Sequence, residues 1–234
     1  MNVLRPITVT LTVAAMLHTG AALAQSSVPA MVPSECGGPE ITNAYGPFDY
    51  TNPTHFRERL PIVETYHFTL KVETLEAGET GTHPGGDLDY TLRAFPNHHR
   101  ALYAMGRYQL MHSNMIIAPE ARWTADCYFQ RAVAFRPDDG VTRMIYGIYL
   151  AKADRTEQAM EQYRVALEII PGSGELHNNV ALLYIAMEDY DSARHHAAKA
   201  QDLGFPLPGA RGRLERLGEW QDTRAENSRA ETDE

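Results

Sequence analysis

The chain has 234 residues, of which 22% are charged and 44% hydrophobic, and its formal net charge at pH 7 is -9. That length supports one or two domains with a sizeable core. The acidic balance argues against nucleic acid and anionic membrane surfaces as partners, and two cysteines exclude a disulfide-dense scaffold.

The first 24 residues read as a secretory signal peptide, cleaved near Ala24. Arg5 precedes a largely apolar stretch from Ile7 to Ala21, and Ala22-Leu23-Ala24 is a small-x-small cleavage pattern. The stretch is shorter than the ~20 residues a membrane span needs, and Thr8, Thr10, Thr12 and His18 interrupt it. No cysteine directly follows the cleavage site, so a lipid anchor is not expected. Cleavage removes one basic residue and no acidic one, taking the charge from -9 to -10 (-9 - 1). The expected location is the periplasm or the exterior, without stable membrane insertion. Cys36 and Cys127 then sit where disulfides persist, and one intramolecular pairing is available, spanning 91 positions (127 - 36). Two independent thiols, with Cys127 in a helix core, is the other reading.

Residues 25–85 predict an irregular segment. Gln25 to Pro33 reads as a flexible lead. Cys36-Gly37-Gly38-Pro39 and Tyr45-Gly46-Pro47-Phe48-Asp49-Tyr50 combine turn residues with aromatics, a composition suited to coil anchored across a helical surface. Thr69 to Leu75 fits a short helix capped by Thr69, although the alternation from Val63 to Val72 also permits a strand. Gly78 to Gly86 is a loop, and Asp87 to Phe95 predicts a helix that turns Tyr90 and Ala94 toward the core.

A period of 34 dominates residues 86–207. Ala125, Ala159 and Ala193 keep it, as do Ala132, Ala166 and Ala200, Phe129 and Tyr163 (with Ala197 third), and Pro137 and Pro171. Gly147 pairs with Ala181 and Leu150 with Tyr184. Alanines at a crossing let two helices approach closely, an aromatic fills the groove between them, and proline arrives where the helix must stop. This pattern resembles the tetratricopeptide repeat, although Arg143 and His177 stand where its first-helix tryptophan is usual. The resemblance implies an all-α fold: a right-handed superhelical stack of antiparallel helix pairs, with full repeats at 99–139, 140–173 and 174–207. Pro96 to Pro137 is 41 rather than 34, so seven extra residues are expected in Ser113 to Trp123, between the helices of the first repeat. Asn97 is expected to cap the helix that follows it, with His98 and His99 in its first turn. Adjacent helical residues point about 100° apart, so this doublet cannot easily share a metal without His55, His67 or His83. His195-His196 is expected on a solvated face. Asp139 and Ser173 are candidate caps, 208–220 a capping helix and 221–234 a disordered tail.

No hydrolase, zinc-protease, phosphate-loop, dinucleotide or haem-attachment motif occurs, so no catalytic residue, metal site or cofactor is assigned. Cys127 reads as core, and Asp138-Asp139 and Asp87/Asp89 as loop or cap acids. The resemblance implies a concave groove on the first helices that takes a protein or peptide partner. Its register selects Arg100, Tyr103, Arg107, Met144, Ile148, Asn178, Asn179 and Leu182. Asn179 also matches the family's carboxylate clamp, but Ile145 stands at the equivalent place one repeat earlier. GPFDY, then VETLEAG, then DLDYTLRAFPNHHRAL is similar to exported bacterial tetratricopeptide proteins of uncertain role. The expected function is a non-catalytic periplasmic adaptor or assembly scaffold. The alternatives are a metal-binding or redox-linked accessory using N-terminal histidines, and self-association; composition leaves the oligomeric state open.

Overall fold

A computed structural model describes residues 32–38, 41, 43, 45–206 and 208–220. The expected signal peptide, most of the flexible lead and the tail at 221–234 lie outside the described residues. Among those described, every regular element is helical. A 3-10 turn at Ser34–Cys36 precedes α1 (Pro53–Glu58), α2 (Leu60–Tyr66), α3 (Leu70–Glu73) and α4 (Gly85–Ala94). Then come α5 (His99–Met111), α6 (Ala125–Phe135), α7 (Gly140–Lys152), α8 (Thr156–Ile169), α9 (Gly174–Ala186), α10 (Tyr190–Asp202) and α11 (Gly209–Leu217). The strand considered around Val63 to Val72 is replaced by the end of α2 and by α3. Thr69 precedes α3, but its hydroxyl donates to Glu79 (2.6 Å) and does not cap the helix.

The pairs α7–α8 and α9–α10 are antiparallel hairpins, and α5–α6 is a third. Stacking is sequential: α5 packs on α7, α8 on α9, and α11 covers α9 and α10 at the far end. The fold class is therefore the all-helical repeat stack that the 34-residue period implies. The tight turns inside the hairpins place Asp154 (φ 56°) and Glu188 (φ 61°) in the left-handed region. Glu120 (φ 61°) is 34 residues before Asp154, so the first repeat keeps the same turn. The extra residues accordingly lie between Met111 and Glu120.

The period-34 positions meet where the helices cross. Ala125, Ala159, Ala166 and Ala193 are wholly buried. A Cβ on Gly147 would come within 2.4 Å of the Tyr163 ring, so this crossing accommodates glycine with tyrosine. One repeat later Ala181 and Ala197 occupy the same two places, both buried. Enlarging one partner while shrinking the other preserves the packed volume, the kind of exchange cores tolerate best.

The N-terminal segment is more ordered than its composition implies. Asn52 caps α1 by accepting from the backbone N–H groups of Thr54 and His55 (2.9 and 3.2 Å), and Pro53 occupies the first helical turn, where its missing N–H costs nothing. Leu60 and Val63 of α2 are buried against Ala94 and Phe95, with Tyr45, Phe48 and Tyr50 around them. Phe48 N–H donates to the Ala94 carbonyl (2.8 Å), satisfying an acceptor at the end of α4. The neighbouring Gly46 has φ 102°, and a Cβ there would lie 2.5 Å from that carbonyl. Only glycine allows this approach. At the other edge, Cys36 and Cys127 meet with their sulfurs at disulfide distance and their Cα atoms 5.0 Å apart.

Candidate functional site: a groove on the first helices

The histidine doublet occupies the junction between α4 and α5, and its roles differ from the expected ones. Asn97 is not the cap. It is fully buried: its Oδ1 accepts from Tyr50 N–H (3.0 Å), and its amide donates to Asp49 (2.9 Å) and Asp139 (3.1 Å). The cap is His98, also fully buried, whose Nδ1 accepts from Ala101 N–H (3.2 Å). That bond requires an unprotonated Nδ1, which assigns the proton to Nε2, where it is donated to Glu64 (3.2 Å). His99 Nε2 reaches Asp139 at 2.8 Å. Asp139 meanwhile caps α7, accepting from Thr142 N–H (3.1 Å) and the Thr142 hydroxyl (3.0 Å). Burial alone would raise the Asp139 pKa. The bond from His99, that ring's charge, and the Thr142 and Asn97 donors outweigh burial and hold it below the usual range.

Of the other candidate histidines, His83 is exposed and donates its backbone N–H to Glu120 (3.1 Å), but His55 and His67 are held by their rings. His55 accepts from Asp49 N–H (3.1 Å), while His67 bonds Asp87 (2.9 Å) and stacks on Tyr90 with ring centroids 3.8 Å apart. The partners brought to the doublet are thus Glu64 and Asp139, not these histidines. Among the described residues, no group of three or more His, Cys, Asp or Glu is placed to hold a metal ion. His195 is exposed, but His196 is not the solvated residue expected. It turns inward and meets buried His177, Nδ1 to Nδ1 at 2.9 Å. His177 Nε2 donates to the Pro171 carbonyl (3.1 Å), so His196 supplies the proton between the rings.

These contacts make stability pH-dependent. Burial depresses the pKa of His98 against the upward pull of Glu64, and burial also depresses that of His177. His196 is pushed down to about 4, by burial first and then by His177 and His195. In each case the unfolded chain takes up a proton near pH 6.5 that the folded chain refuses. The stabilisation is complete above that pH and lost as pH falls toward the folded values. Urea midpoints followed by circular dichroism should stay level from pH 8 to 7. They should then drop by an equivalent of roughly 1–3 kcal/mol by pH 4.5, the incompletely buried His196 contributing less than its shift implies. A level profile down to pH 5 would contradict this.

The first helices line an open groove of about 520 Å³. Of the eight residues selected by register, Arg100, Tyr103 and Arg107 on α5, Met144 and Ile148 on α7, and Asn179 and Leu182 on α9 line it together. Asn178 does not. It is buried, and its Oδ1 accepts from Ala210 N–H (2.8 Å) at the start of α11, so it secures the capping helix. Met144 is only 4% exposed and serves mainly as floor. Arg100 lines the wall but is already neutralised, by Glu73 and by Glu64 (3.1 Å). These acids come from α2 and α3, whose position the repeat register does not specify. Arg107 lies over the Tyr103 ring (5.9 Å) and has no carboxylate within ion-pair distance among the described residues. The same is true of Lys152, a groove residue that the register does not select although it lies one helical turn beyond Ile148. The Asn179 amide nitrogen is buried in the wall without a hydrogen-bond partner among the described residues.

Together these elements define an all-helical stack of antiparallel helix pairs with an open groove on its first helices. No protein-family profile matches the chain, and a search of curated proteins finds no match either. Among solved structures, "MamA MSR-1 C2" is 18% identical with a TM-score of 0.42, covering 61% of this chain and 72% of that one. The helix pairs themselves define the fold. Among the described residues, no helix is long and apolar enough to cross a membrane.

Proposed function

We propose that this chain is an exported, non-catalytic adaptor that holds an extended segment of a protein partner in the groove of α5, α7 and α9. The observation that carries this reading is the groove itself. Ile148 and Leu182 offer apolar contact beside an Asn179 amide and two cations, Arg107 and Lys152, that have no hydrogen-bond or ion-pair partner among the described residues. An amide donor beside apolar pockets suits a backbone carbonyl flanked by side chains. The apolar stretch and cleavage pattern before Gln25 support export to the periplasm, and the approach of Cys36 to Cys127 supports a disulfide formed there.

A display library of random peptides of about 16 residues, selected on the mature chain, tests the reading. Enriched peptides should bind wild type and lose about tenfold or more in affinity to the Asn179→Ala/Leu182→Asp double variant, with its thermal melt unchanged. Failure to enrich any peptide, or equal binding to the double variant, would overturn it.

A further inference from the structure

The insertion between α5 and α6 has a surface that the hairpin geometry does not require. Met111 is 63% exposed, Met115 46%, Ile116 87% and Ile117 40%, four large apolar side chains within seven positions. The repeat needs only a tight turn here, as the α7–α8 and α9–α10 connections show. Ala118, by contrast, is buried and Tyr108 donates to the Pro119 carbonyl (3.2 Å), so the base of the loop is anchored while its apolar tip faces solvent. Four exposed large apolar side chains in so short a stretch, two of them lining one cleft, mark a contact site.

This surface continues the groove. Lys152 lines the groove with Ile148, and it also lines a second cleft of about 710 Å³ with Met115 and Ile116. Leu110 joins Arg107 and Lys152 in a crevice between the two. A chain lying in the groove therefore passes Arg107 and Lys152, unpaired among the described residues, before reaching the loop. Arg100, at the opposite end of α5, is already satisfied by Glu64 and Glu73. Three further acids line these clefts: Asp126 is paired with Arg155 (2.7 Å), while Asp154 and Glu175 flank the site. Among the described residues, Arg107 and Lys152 are the cations there without an acid in ion-pair distance.

We infer that the α5–α6 insertion is a second half of the binding surface, and that the partner segment carries an acidic residue followed or preceded by large apolar ones. The acid pairs with Arg107 and Lys152, and the apolar residues cover Met115 and Ile116. The inference rests on the groove reading above and adds the composition of its ligand. Charge complementarity at the two cations and continuity of the surface select a polypeptide over other occupants.

Peptides enriched by the selection described above give the test, with two further variants of the mature chain. Met115→Asp/Ile116→Asp alters only exposed side chains, and Arg107→Glu/Lys152→Glu reverses the charge. The expected result is enrichment of acidic residues adjoining Leu, Ile, Phe or Met. Affinity should fall about tenfold in the loop variant, and the charge-reversed variant should prefer lysine-substituted peptides. Peptides that depend on Asn179 and Leu182 but lack an acid, or that bind the loop variant as tightly, would overturn this inference and leave the adaptor reading standing. Sedimentation with vesicles of phosphatidylglycerol and phosphatidylethanolamine is the other arm. Binding that Met115→Asp/Ile116→Asp abolishes, with peptide affinity untouched, would assign the loop to a lipid surface and overturn the inference.

Discussion

Asp139→Ala is expected to lower the unfolding free energy by about 3–5 kcal/mol, while Asp138→Ala changes it by less than about 0.5 kcal/mol. The two residues are adjacent and chemically identical. Asp138 is 71% exposed at its side chain and pairs only with Arg136, a surface contact of small worth. Asp139 is 6% exposed and serves three elements at once. It caps α7 through Thr142, anchors His99 of α5, and holds the Asn97 amide, which also binds Asp49 of the N-terminal segment. Truncation would remove a cap worth ~1 kcal/mol and leave donors on Asn97 and Thr142 buried without partners. Urea unfolding of both variants by circular dichroism measures the difference. A loss below about 1 kcal/mol for Asp139→Ala would show that the junction does not hold the repeats together.

Replacing Cys36 and Cys127 together with serine is expected to cost about 2–5 kcal/mol, since a link between them would close a long loop in the unfolded chain. The folded contacts around the pair remain. Arg131 donates to the Cys36 carbonyl (2.9 Å) and its guanidinium lies 4.4 Å from the Trp123 ring centroid, with Val32 buried alongside. Because those contacts persist, the effect should arise mainly from the freed unfolded state. Wild type in strong reductant should then unfold at the same urea concentration as the serine variant in its absence. A wild-type midpoint insensitive to reductant, with two titratable thiols after unfolding, would mean that the cysteines are not joined.

The junction illustrates why residue identity alone misassigned roles. Asn97 and His98 both have side-chain acceptors that can cap a helix, and asparagine has the stronger preference. The choice went to His98 because Asn97 is also the group that Tyr50 and Asp49 reach from the N-terminal segment. That segment lies some 47 positions away in the chain. No local pattern records such a contact. Arg100 follows the same logic. Its register places it correctly in the groove, but Glu73 and Glu64 arrive from helices outside the repeat and take its charge.

The 34-residue period by itself determined the helix pairs and their crossings; the resemblance to the tetratricopeptide repeat implied which face would line a groove. Helical geometry maps a fixed sequence interval onto a fixed position in the stack, so Ala159 and Tyr163 could be placed at the crossings from spacing, whereas Ile148 and Leu182 came from the register of the resembled repeat. The period also located the insertion, because a break in period must fall between two helices that each keep theirs. Tertiary structure alone decided which groove residues remain free to bind. Whether Asn178 faces a ligand or α11, whether His196 faces water or His177, and whether Arg100 is paired depend on elements outside the repeat. Contacts between distant segments have no period, and only the folded chain brings their partners together.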